Sequence, residues 1–412
     1  MQLTTDRPSP GKDPDQAVRR CPACEGPMYG WVLASAADPG RHEQYVIDTC
    51  ADCGHGTTRG DAPPTLPELY TSGAYGVRRH RLLAVFTPVL GAFDRARLRI
   101  LRRHAPAPAS VFEVGAGRGR FLERLVDEGY DATGIEPDGA RCAEARDRGV
   151  AVEQAAIEEA DPGAVDAIVA WHVLEHVEDP AAALEQMAGW LRPGGALVVG
   201  VPNRGGWQAS LGGAHWFHLD LPRHRHHFTR RSLRVLCERA GLEVAGERHT
   251  LAEHGHFGML QTVLNAVTFH DNVGYGLINR SLTFTTARRR SLLVIDTLIT
   301  VMVTPLALIV TVPLELLGGL FRRGGAFAVV ATTPPEPHRP AAHPALAERF
   351  SAPGSRKPFS ERGGNGGAAL GERLSGLGSR EPFSELRGLG GRPRRRVRRV
   401  RPRAPSAAGR GP

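Results

Sequence analysis

Residues 111–125, VFEVGAGRGRFLERL, are the stretch that decides the fold of this 412-residue chain. A short apolar run leads into glycines at 115, 117 and 119, and apolar residues then recur at the spacing of an amphipathic helix. Glycines in such a turn let the backbone approach a ligand closely, and the following helix presents free N–H groups. The stretch therefore predicts a nucleotide-binding loop between the first strand and first helix of an α/β sheet.

The glycine loop differs from the dinucleotide-binding fingerprint. That motif needs a small residue for close packing of the helix, and Arg120 stands at this position. The E-x-G-x-G-x-G spacing from Glu113 to Gly119 matches another kind of nucleotide loop. The second predicted strand ends in Glu136, and a carboxylate at that place can accept hydrogen bonds from both hydroxyls of a ribose.

Further apolar segments alternate with amphipathic ones after the glycine loop. They lie at 129–138, 151–157, 165–173 and 194–203, and a helix and strand within 232–249 and a late strand at 324–333 continue the pattern. Alternating strands and helices are typical of a parallel sheet covered on both faces. We predict an α/β fold with a doubly wound, Rossmann-like sheet.

Four of the six cysteines form two close pairs, Cys21 with Cys24 and Cys50 with Cys53. Two such knuckles can supply four thiolates in a tetrahedron, which predicts a structural zinc ion because no coordination position stays open. A pair of disulfides or incidental thiols are the alternatives. The opening residues lack the apolar core of a secretory signal, which favours zinc and a cytoplasmic protein.

The positive charge of the chain is concentrated at its end. The chain has 52 Lys and Arg against 43 Asp and Glu, a net charge of +9, but residues 339–412 alone hold 17 basic and 5 acidic residues. The remainder carries a net charge of −3. A uniformly basic nucleic-acid-binding body is therefore disfavoured. The Gly-, Pro- and Arg-rich composition of 335–412 predicts a disordered tail.

An apolar segment at 292–321 interrupts the α/β pattern. It contains 18 consecutive uncharged residues from Thr297 to Leu314, enough for a transmembrane candidate. Pro305 and Pro313 predict a kinked helix. Three interpretations remain open: peripheral or re-entrant membrane association, packing on the domain, and a true span.

These features divide the chain into five parts. We predict a disordered leader at 1–18, a zinc ribbon at 19–60, a helical linker at 61–105, a catalytic domain at 106–334 with a hydrophobic helical insertion at about 255–323, and the basic tail at 335–412.

The chain resembles the class I S-adenosylmethionine-dependent methyltransferases over about residues 65–250. The resemblance rests on five motifs in family order: VFEVGAGRGRFLERL, GIEPD, DAIVAWHVLEHVEDP, WLRPGGALVVGVPN and RHHFTRRSLRVLCERAGLEV. It is closest in organisation to bacterial members with an N-terminal four-cysteine ribbon and a late strand that closes the sheet. The cofactors implied are S-adenosylmethionine and structural zinc.

The resemblance assigns cofactor-binding roles to eight residues. Around the methionine moiety and sulfonium it places Glu113, Gly115, Gly117 and Gly119; at the ribose Glu136; beside the adenine Ala156 and Ile157; and facing the transferred methyl His172. Many relatives carry an acid near Ala156 that holds the adenine amino group, and this chain does not.

His172, Glu175 and His176 also spell H-x-x-E-H, an inverted zinc-protease motif. That interpretation needs the motif on a long helix, whereas here it follows a predicted strand. Some relatives that methylate quinone precursors hold a divalent ion here with acids and a histidine. Because His172 replaces one of those acids, the resemblance supports a metal only weakly.

A second histidine group follows the fifth strand and comprises His215, His218, His224, His226 and His227. It is either a metal cluster or, as the resemblance favours, a substrate-side loop in which Thr229 caps the next helix. Methyl transfer is an in-line displacement, and an oxygen acceptor must also lose a proton. We predict His172 as the base, with Asp220 and His224 as further catalytic candidates.

The expected function is methyl transfer to a small-molecule acceptor. The apolar insertion suggests a hydrophobic or lipid-linked acceptor and a place at the inner face of the cell membrane, whereas the four-cysteine ribbon also resembles that of natural-product sugar methyltransferases. The alternatives are a zinc-ribbon protein that modifies or binds tRNA or DNA, and an inactive membrane-tethered scaffold. The sequence leaves the oligomeric state open.

Overall fold

The computed structural model describes residues 19–35, 44–59, 83–249, 252–279 and 287–335. The predicted leader, residues 61–82 of the predicted linker and all but the first residue of the predicted tail lie outside the described residues. The described residues therefore include the predicted ribbon, catalytic domain and insertion except 36–43, 60, 250–251 and 280–286.

The described residues form eleven strands and nine α-helices. The strands are β1 (Met28–Ser35), β2 (Gln44–Cys50), β3 (Gly56–Arg59), β4 (Ser110–Val114), β5 (Asp131–Ile135), β6 (Ala151–Glu153), β7 (Val165–Trp171), β8 (Leu191–Pro202), β9 (His226–His227), β10 (Glu243–Arg248) and β11 (Ala326–Thr332). The helices are α1 (Leu83–Leu101), α2 (Arg120–Asp127), α3 (Gly139–Asp147), α4 (Pro180–Trp190), α5 (Trp207–Gly212), α6 (Arg230–Arg239), α7 (Ala252–Asn265), α8 (Val273–Asn279) and α9 (Ala287–Leu320).

The main sheet has seven strands in the order β10-β11-β8-β7-β4-β5-β6. Neighbours from β8 to β6 are parallel, which confirms the predicted α/β fold with a doubly wound sheet. β11 differs because it runs antiparallel between β8 and β10. The chain reaches β11 from β10 through α7, α8 and α9, and β11 pairs antiparallel with both of its neighbours.

The central strands are buried almost throughout because helices cover both faces of the sheet. Helix starts are set by local side chains. Asp138 and Asp179 accept backbone N–H groups of α3 and α4, and Thr229 does the same for α6. The predicted capping role of Thr229 is thus present in the structure.

A second sheet joins the ribbon to the catalytic domain. Its order is β1-β2-β3-β9, and β9 comes from the histidine-rich segment far along the chain. Gly56 pairs with His227 and Thr57 with His226. The ribbon therefore shares a sheet with the predicted substrate-side loop, a connection that the sequence did not predict.

The insertion consists of α7, α8 and α9. The sequence predicted a kinked apolar helix, and the structure has one uninterrupted helix from Ala287 to Leu320 that contains both Pro305 and Pro313. Both prolines are exposed, so the backbone bonds that they remove lie on the outer side of the helix. Within the described residues, Ser291–Leu320 is one helix with the length and composition needed to cross a membrane.

Candidate active site

The glycine loop follows β4 in a left-handed backbone conformation. Gly115, Gly117 and Gly119 have φ values of 72°, 57° and 74°. A Cβ on Gly115 would come within 2.6 Å of Val173, whereas a Cβ on Gly117 would meet no atom within 4 Å. Gly115 is thus required for packing against the segment after β7. Gly117 leaves space open above the loop, as close approach of a ligand requires.

Glu136, at the end of β5, is hydrogen-bonded to this loop. Its Oε2 accepts the N–H of Gly117 at 2.8 Å and its Oε1 accepts the N–H of Asp138 at 3.0 Å. Burial raises the pKa of Glu136, against the effect of these two hydrogen bonds. Each carboxylate oxygen can accept a further bond, so the residue can still receive ribose hydroxyls.

Glu113 lies buried at the end of β4, and its Oε2 has no hydrogen-bond partner among the described residues. Burial raises its pKa to about 8, with Arg97 and Arg120 opposing and Asp94 reinforcing the shift. A buried oxygen without a partner needs a donor or a cation. The cationic methionine part of S-adenosylmethionine meets that need, so the residues of this loop fit the expected cofactor.

The predicted adenine-side residues lie in the loop after β6. Ile157 is buried, and its carbonyl accepts Nε2 of Gln186 at 2.9 Å. The N–H of Ala156 donates to Oε2 of Glu159 at 3.0 Å. The loop thus contains an acid that the sequence analysis missed, three residues after Ala156, and this acid orders the loop backbone.

His172 lies just beyond β7 with φ 56°, a left-handed conformation that is costly for a non-glycine residue. Its N–H donates to the carbonyl of Gly200 at 2.9 Å, and its Nδ1 lies 2.8 Å from Oε1 of Glu175. Backbone strain of this kind is often found at functional sites. The next residue, Val173, is the one that packs on Gly115, so the base candidate adjoins the cofactor loop.

Glu175 is the charged residue beneath His172. Burial would raise its pKa, but the hydrogen bond with His172 and the nearby His176 and His224 outweigh burial and lower the pKa to about 2. Its carbonyl also accepts the N–H groups of Arg225 and His226, at 2.7 and 3.2 Å. In the sequence Glu175 is recognisable only as part of the H-x-x-E-H motif, and no role for it follows from the motif.

Asp220 and His224 lie on the other side of Glu175. Nδ1 of His224 is 2.8 Å from the carbonyl of His218, and its Nε2 is 3.8 Å from Oδ2 of Asp220. Arg223 is ion-paired with Asp220. The structure therefore brings all three predicted catalytic residues into one cluster, connected through Glu175.

Glu175, His176 and His224 offer ligand atoms that lie within 4.8 Å of one another. Burial lowers the pKa of His176 to about 4, which keeps the imidazole neutral, as a metal ligand must be. One carboxylate and two imidazoles could hold a divalent ion. The motif lies in the turn between β7 and α4 rather than on a long helix, so the protease interpretation lacks its structural context.

Within the described residues, the five histidines of the predicted second group do not form one metal-ligand set, although the rings of His224 and His227 are neighbours. His215 pairs with Asp271 at the surface, at 3.0 Å. His226 contacts His55 of the ribbon, 3.1 Å away, and His227 contacts Thr58 at 3.0 Å. Of that group, His224 joins the cluster around Glu175.

The four ribbon cysteines meet at one point. Cys21 and Cys53 sulfurs lie 3.5 Å apart and those of Cys24 and Cys50 3.4 Å apart, and all four lie within 4.8 Å of one another. These distances exceed a disulfide bond and are close to the ~3.8 Å expected between sulfurs of a tetrahedral zinc site. The hydrogen bond from Cys53 lowers the pKa of Cys21 to about 5, which favours a thiolate. The residues fit a zinc ribbon.

The ribbon contacts the active-site loop directly. Thr58 Oγ1 donates to the carbonyl of His224 at 2.7 Å, and the Thr58 N–H donates to the carbonyl of Arg225 at 2.9 Å. Thr229 Oγ1 in turn donates to the carbonyl of Cys53 at 2.6 Å. The backbone that carries His224 is therefore held between β3 and the turn containing Glu175.

The parallel sheet with one late antiparallel strand, the glycine loop after its first strand and the acid after its second define a class I methyltransferase domain. Residues 83–246 match the family described as a methyltransferase domain. Residues 83–246 thus form a methyltransferase domain, in agreement with the sequence resemblance to the class I S-adenosylmethionine-dependent methyltransferases. The insertion α7–α9 lies beyond the matched residues.

Two curated relatives are named ubiquinone biosynthesis O-methyltransferase. The one from Sodalis glossinidius is 33% identical over 29% of this chain and 53% of its own length. The one from Xanthomonas axonopodis pv. citri is 33% identical over 34% of this chain and 63% of its own length. The chain thus spans between about half and two thirds of these relatives.

Two solved structures share lower similarity. A SAM-dependent methyltransferase from Archaeoglobus fulgidus is 17% identical with a TM-score of 0.36, covering 64% of this chain and 99% of that one. The N-methyltransferase NodS from Bradyrhizobium japonicum is 16% identical with a TM-score of 0.32, covering 59% and 97%.

Proposed function

We propose that this protein transfers a methyl group from S-adenosylmethionine to a small-molecule acceptor. The observation that carries the proposal is the position of His172. It stands in a strained conformation over the buried carboxylate of Glu175, and its neighbour Val173 packs on the cofactor loop. This position supports the proposal that His172 acts as a base beside the loop that would hold the methyl donor.

The cofactor supplies an electrophilic methyl on a sulfonium. In this chain Glu136 and the glycine loop bind and orient it, and the unpartnered Oε2 of Glu113 compensates its positive charge. His172 accepts the proton of the acceptor. With its own proton on Nδ1 toward Glu175, the imidazole has its lone pair on Nε2, and Glu175 then stabilises the imidazolium.

The acceptor is proposed to be a hydroxyl compound that binds on the side of Asp220 and His224. The printed name of the relatives, an O-methyltransferase, supports an oxygen acceptor. A hydrophobic or lipid-linked acceptor is the more specific proposal, and its support is the apolar insertion next to this loop. The N–H of Phe217, one residue before His218, donates to Thr262 of α7 at 3.1 Å.

The ribbon is proposed to hold one structural zinc ion through Cys21, Cys24, Cys50 and Cys53. Its contribution to the reaction is indirect, since Thr58 binds the carbonyl of His224. We propose a cytoplasmic protein whose catalytic body has access to the inner face of the cell membrane.

Calorimetry with S-adenosylmethionine tests the proposal on a matched pair of variants. Gly117→Ala adds a Cβ where the cofactor must approach, and Gly129→Ala adds one after α2; both glycines have positive φ, 57° and 84°, and open space at the Cβ position. Both variants carry the same backbone strain, about 1 kcal/mol. We expect Gly117→Ala alone to lose binding at least tenfold. Equal affinity in the two variants, or no binding to the wild type, would refute the cofactor site.

A radiolabel experiment tests the acceptor. Protein given tritium-labelled cofactor and a lysate should place label in a small-molecule fraction. Label in the organic phase supports a hydrophobic acceptor. Label confined to the aqueous phase excludes a hydrophobic acceptor. Label found only in RNA or DNA would overturn the small-molecule proposal.

A further inference from the structure

The long helix α9 packs on the protein with its polar residues. Its buried positions recur every three, four or seven residues and so lie on one face; they include Asp296, Thr300, Ala307, Thr311 and Glu315. A surface helix of a water-soluble domain buries an apolar stripe and exposes polar residues. In α9 this arrangement is reversed.

The buried polar residues of α9 bind the body of the protein. Asp296 accepts the N–H of Phe269 at 2.8 Å and lies 2.7 Å from Nδ1 of His270. Glu315 accepts Nε2 of Gln208 at 2.7 Å and the N–H of Gly325 at 2.8 Å. These contacts fix the rotation of the helix, so the apolar face is held outward.

The outward face is apolar along the whole helix. Met302, Ile309 and Leu320 are 78%, 71% and 74% exposed, and 17% of the most apolar stretch is buried. The other large exposed apolar residues of this face are Val294, Ile295, Leu298, Val301, Leu306, Leu308, Val310, Leu316, Leu317 and, just after the helix, Phe321. At 100° per residue they cover an arc of about 200°.

Neighbouring residues extend this surface. Phe269 and Val267, in the loop between α7 and α8, are 65% and 50% exposed, and the N–H of Phe269 binds Asp296 of α9. Leu277 and Ile278 of α8 are also exposed. Contiguous apolar surface of this extent marks a contact with a membrane or another protein.

Basic residues lie at both ends of the apolar run. Arg288, Arg289 and Arg290 precede it in sequence, and the exposed Arg322 and Arg323 follow it. Arginines at the borders of an apolar helix face lie at the depth of lipid phosphates and favour an anionic surface. A second copy of the chain would repel these charges with its own.

The connections of α9 keep the protein on one side of the apolar surface. β10 precedes the insertion, β11 follows α9 closely, and both strands belong to the same sheet and pair with each other. A single crossing by α9 would separate them. A bilayer in contact with α9 would therefore lie on one side of the protein.

We infer that α9 docks the protein on an anionic membrane, with its apolar face embedded in the hydrocarbon of one leaflet. Lipid covers the whole arc of about 200°, whereas one partner helix would cover a stripe of about 100°. The two basic ends then lie at the phosphates. This inference is independent of methyl transfer.

Vesicle flotation tests the inference. The full chain, purified in detergent, is diluted into vesicles of phosphatidylcholine containing one third phosphatidylglycerol and floated with and without 1 M NaCl. We expect the wild type to float in both conditions. Leu298→Ser combined with Met302→Ser and Ile309→Ser, three exposed positions on one line of the helix, should lower the partition coefficient about a hundredfold.

The matched control is Val126→Ser, which changes an exposed valine on α2 and should float as the wild type does. Thermal unfolding of all variants should be unchanged, since the three positions contact solvent in the structure. Binding that 1 M NaCl abolishes would show a merely electrostatic contact and would overturn the embedding. Failure of the wild type to float would overturn the inference, and sedimentation as a dimer that the triple substitution disrupts would assign the face to a second copy.

Discussion

Glu113 and His172 each lower the stability of the folded protein locally, and the sheet does not require either feature. Glu113 places an unpartnered carboxylate oxygen in the core, and His172 adopts a left-handed backbone conformation. Destabilising features of this kind are kept at functional sites, because selection for stability alone would replace such residues. Both residues adjoin the glycine loop.

We expect Glu113→Gln to stabilise the cofactor-free protein at pH 8. The folded-state pKa of about 8 lies above the ordinary value of 4.5, so between these values the unfolded chain ionises while the folded protein stays protonated. Stability is therefore lost as pH rises from about 4.5 to 8, by a few kcal/mol at most. Glutamine does not ionise and removes this loss.

Urea unfolding at pH 5 and pH 8 measures the effect. The free energy of unfolding of Glu113→Gln should exceed that of the wild type at pH 8 and differ little from it at pH 5. The affinity for the cofactor should fall. Glu185→Gln, an exposed change on α4, is the control and should show neither effect. A gain that is equal at both pH values would contradict a titrating Glu113.

His172→Asn should lower turnover by about 10²- to 10⁴-fold, the range for loss of a general base. Asparagine tolerates the left-handed conformation better than alanine, so the fold should persist. Single-turnover transfer of labelled methyl measures the change, and calorimetry should show unaltered cofactor affinity. Unchanged turnover with intact cofactor binding would exclude His172 as the base.

At the scale of elements, the ribbon reaches the active site through β3 and β9. Two residue pairs join these strands, Gly56 with His227 and Thr57 with His226. The same strand β3 carries Thr58, which binds the carbonyl of His224. The four-cysteine ribbon, which is proposed to bind zinc, therefore helps to position His224 through β3.

Removal of zinc should therefore reduce turnover more than cofactor binding. We expect chelation, or Cys50→Ser, to lower turnover at least tenfold and to change cofactor affinity less than twofold, because Glu136 and the glycine loop contact other elements. Thr58→Val should lower turnover less, because it removes one hydrogen bond, which contributes about 1 kcal/mol. Parallel calorimetry and turnover assays measure both quantities.

Cys142→Ser is the control for the ribbon variants, since Cys142 is a buried thiol of α3 outside the four-cysteine group. It should leave zinc content unchanged. A proportional loss of cofactor affinity and turnover on chelation would mean that zinc supports the whole domain rather than the loop.

At the scale of the whole molecule, ribbon and main sheet behave as one folded body. Arg204, just after β8, donates to the carbonyl of Gly54 at 2.8 Å and to Thr49 Oγ1 at 2.7 Å. Arg239 of α6 donates to the carbonyl of Ala23 at 2.8 Å. These contacts, together with β9, couple the stability of the ribbon to that of the main sheet.

We expect the zinc-loaded protein to unfold in a single calorimetric transition. Ribbon and domain share a sheet and buried contacts, so loss of one exposes the other. The measurement is scanning calorimetry in detergent, with zinc release followed by a chromogenic chelator. Zinc release at a temperature well below the main transition would show an independently melting ribbon.

Local patterns in the sequence accounted for much of the fold and part of the site. Strand, glycine turn and helix at 111–125 follow one another directly, and the two cysteine pairs are recognisable because zinc knuckles are local. The antiparallel direction of β11 was missed because it depends on how α9 returns the chain to the sheet. The role of Glu175 was missed because its motif had more familiar meanings.

The sequence by itself determined the α/β class, the glycine loop and the four-cysteine group, since each depends on residues that are close in the chain. The tertiary structure alone decided that Thr58 holds His224, that Glu175 lies beneath His172 near His224, and that α9 turns its apolar face outward. The first two require contacts between distant segments. The third depends on which side of a helix meets the protein, and the buried carboxylates of Asp296 and Glu315 settle that side by their hydrogen bonds.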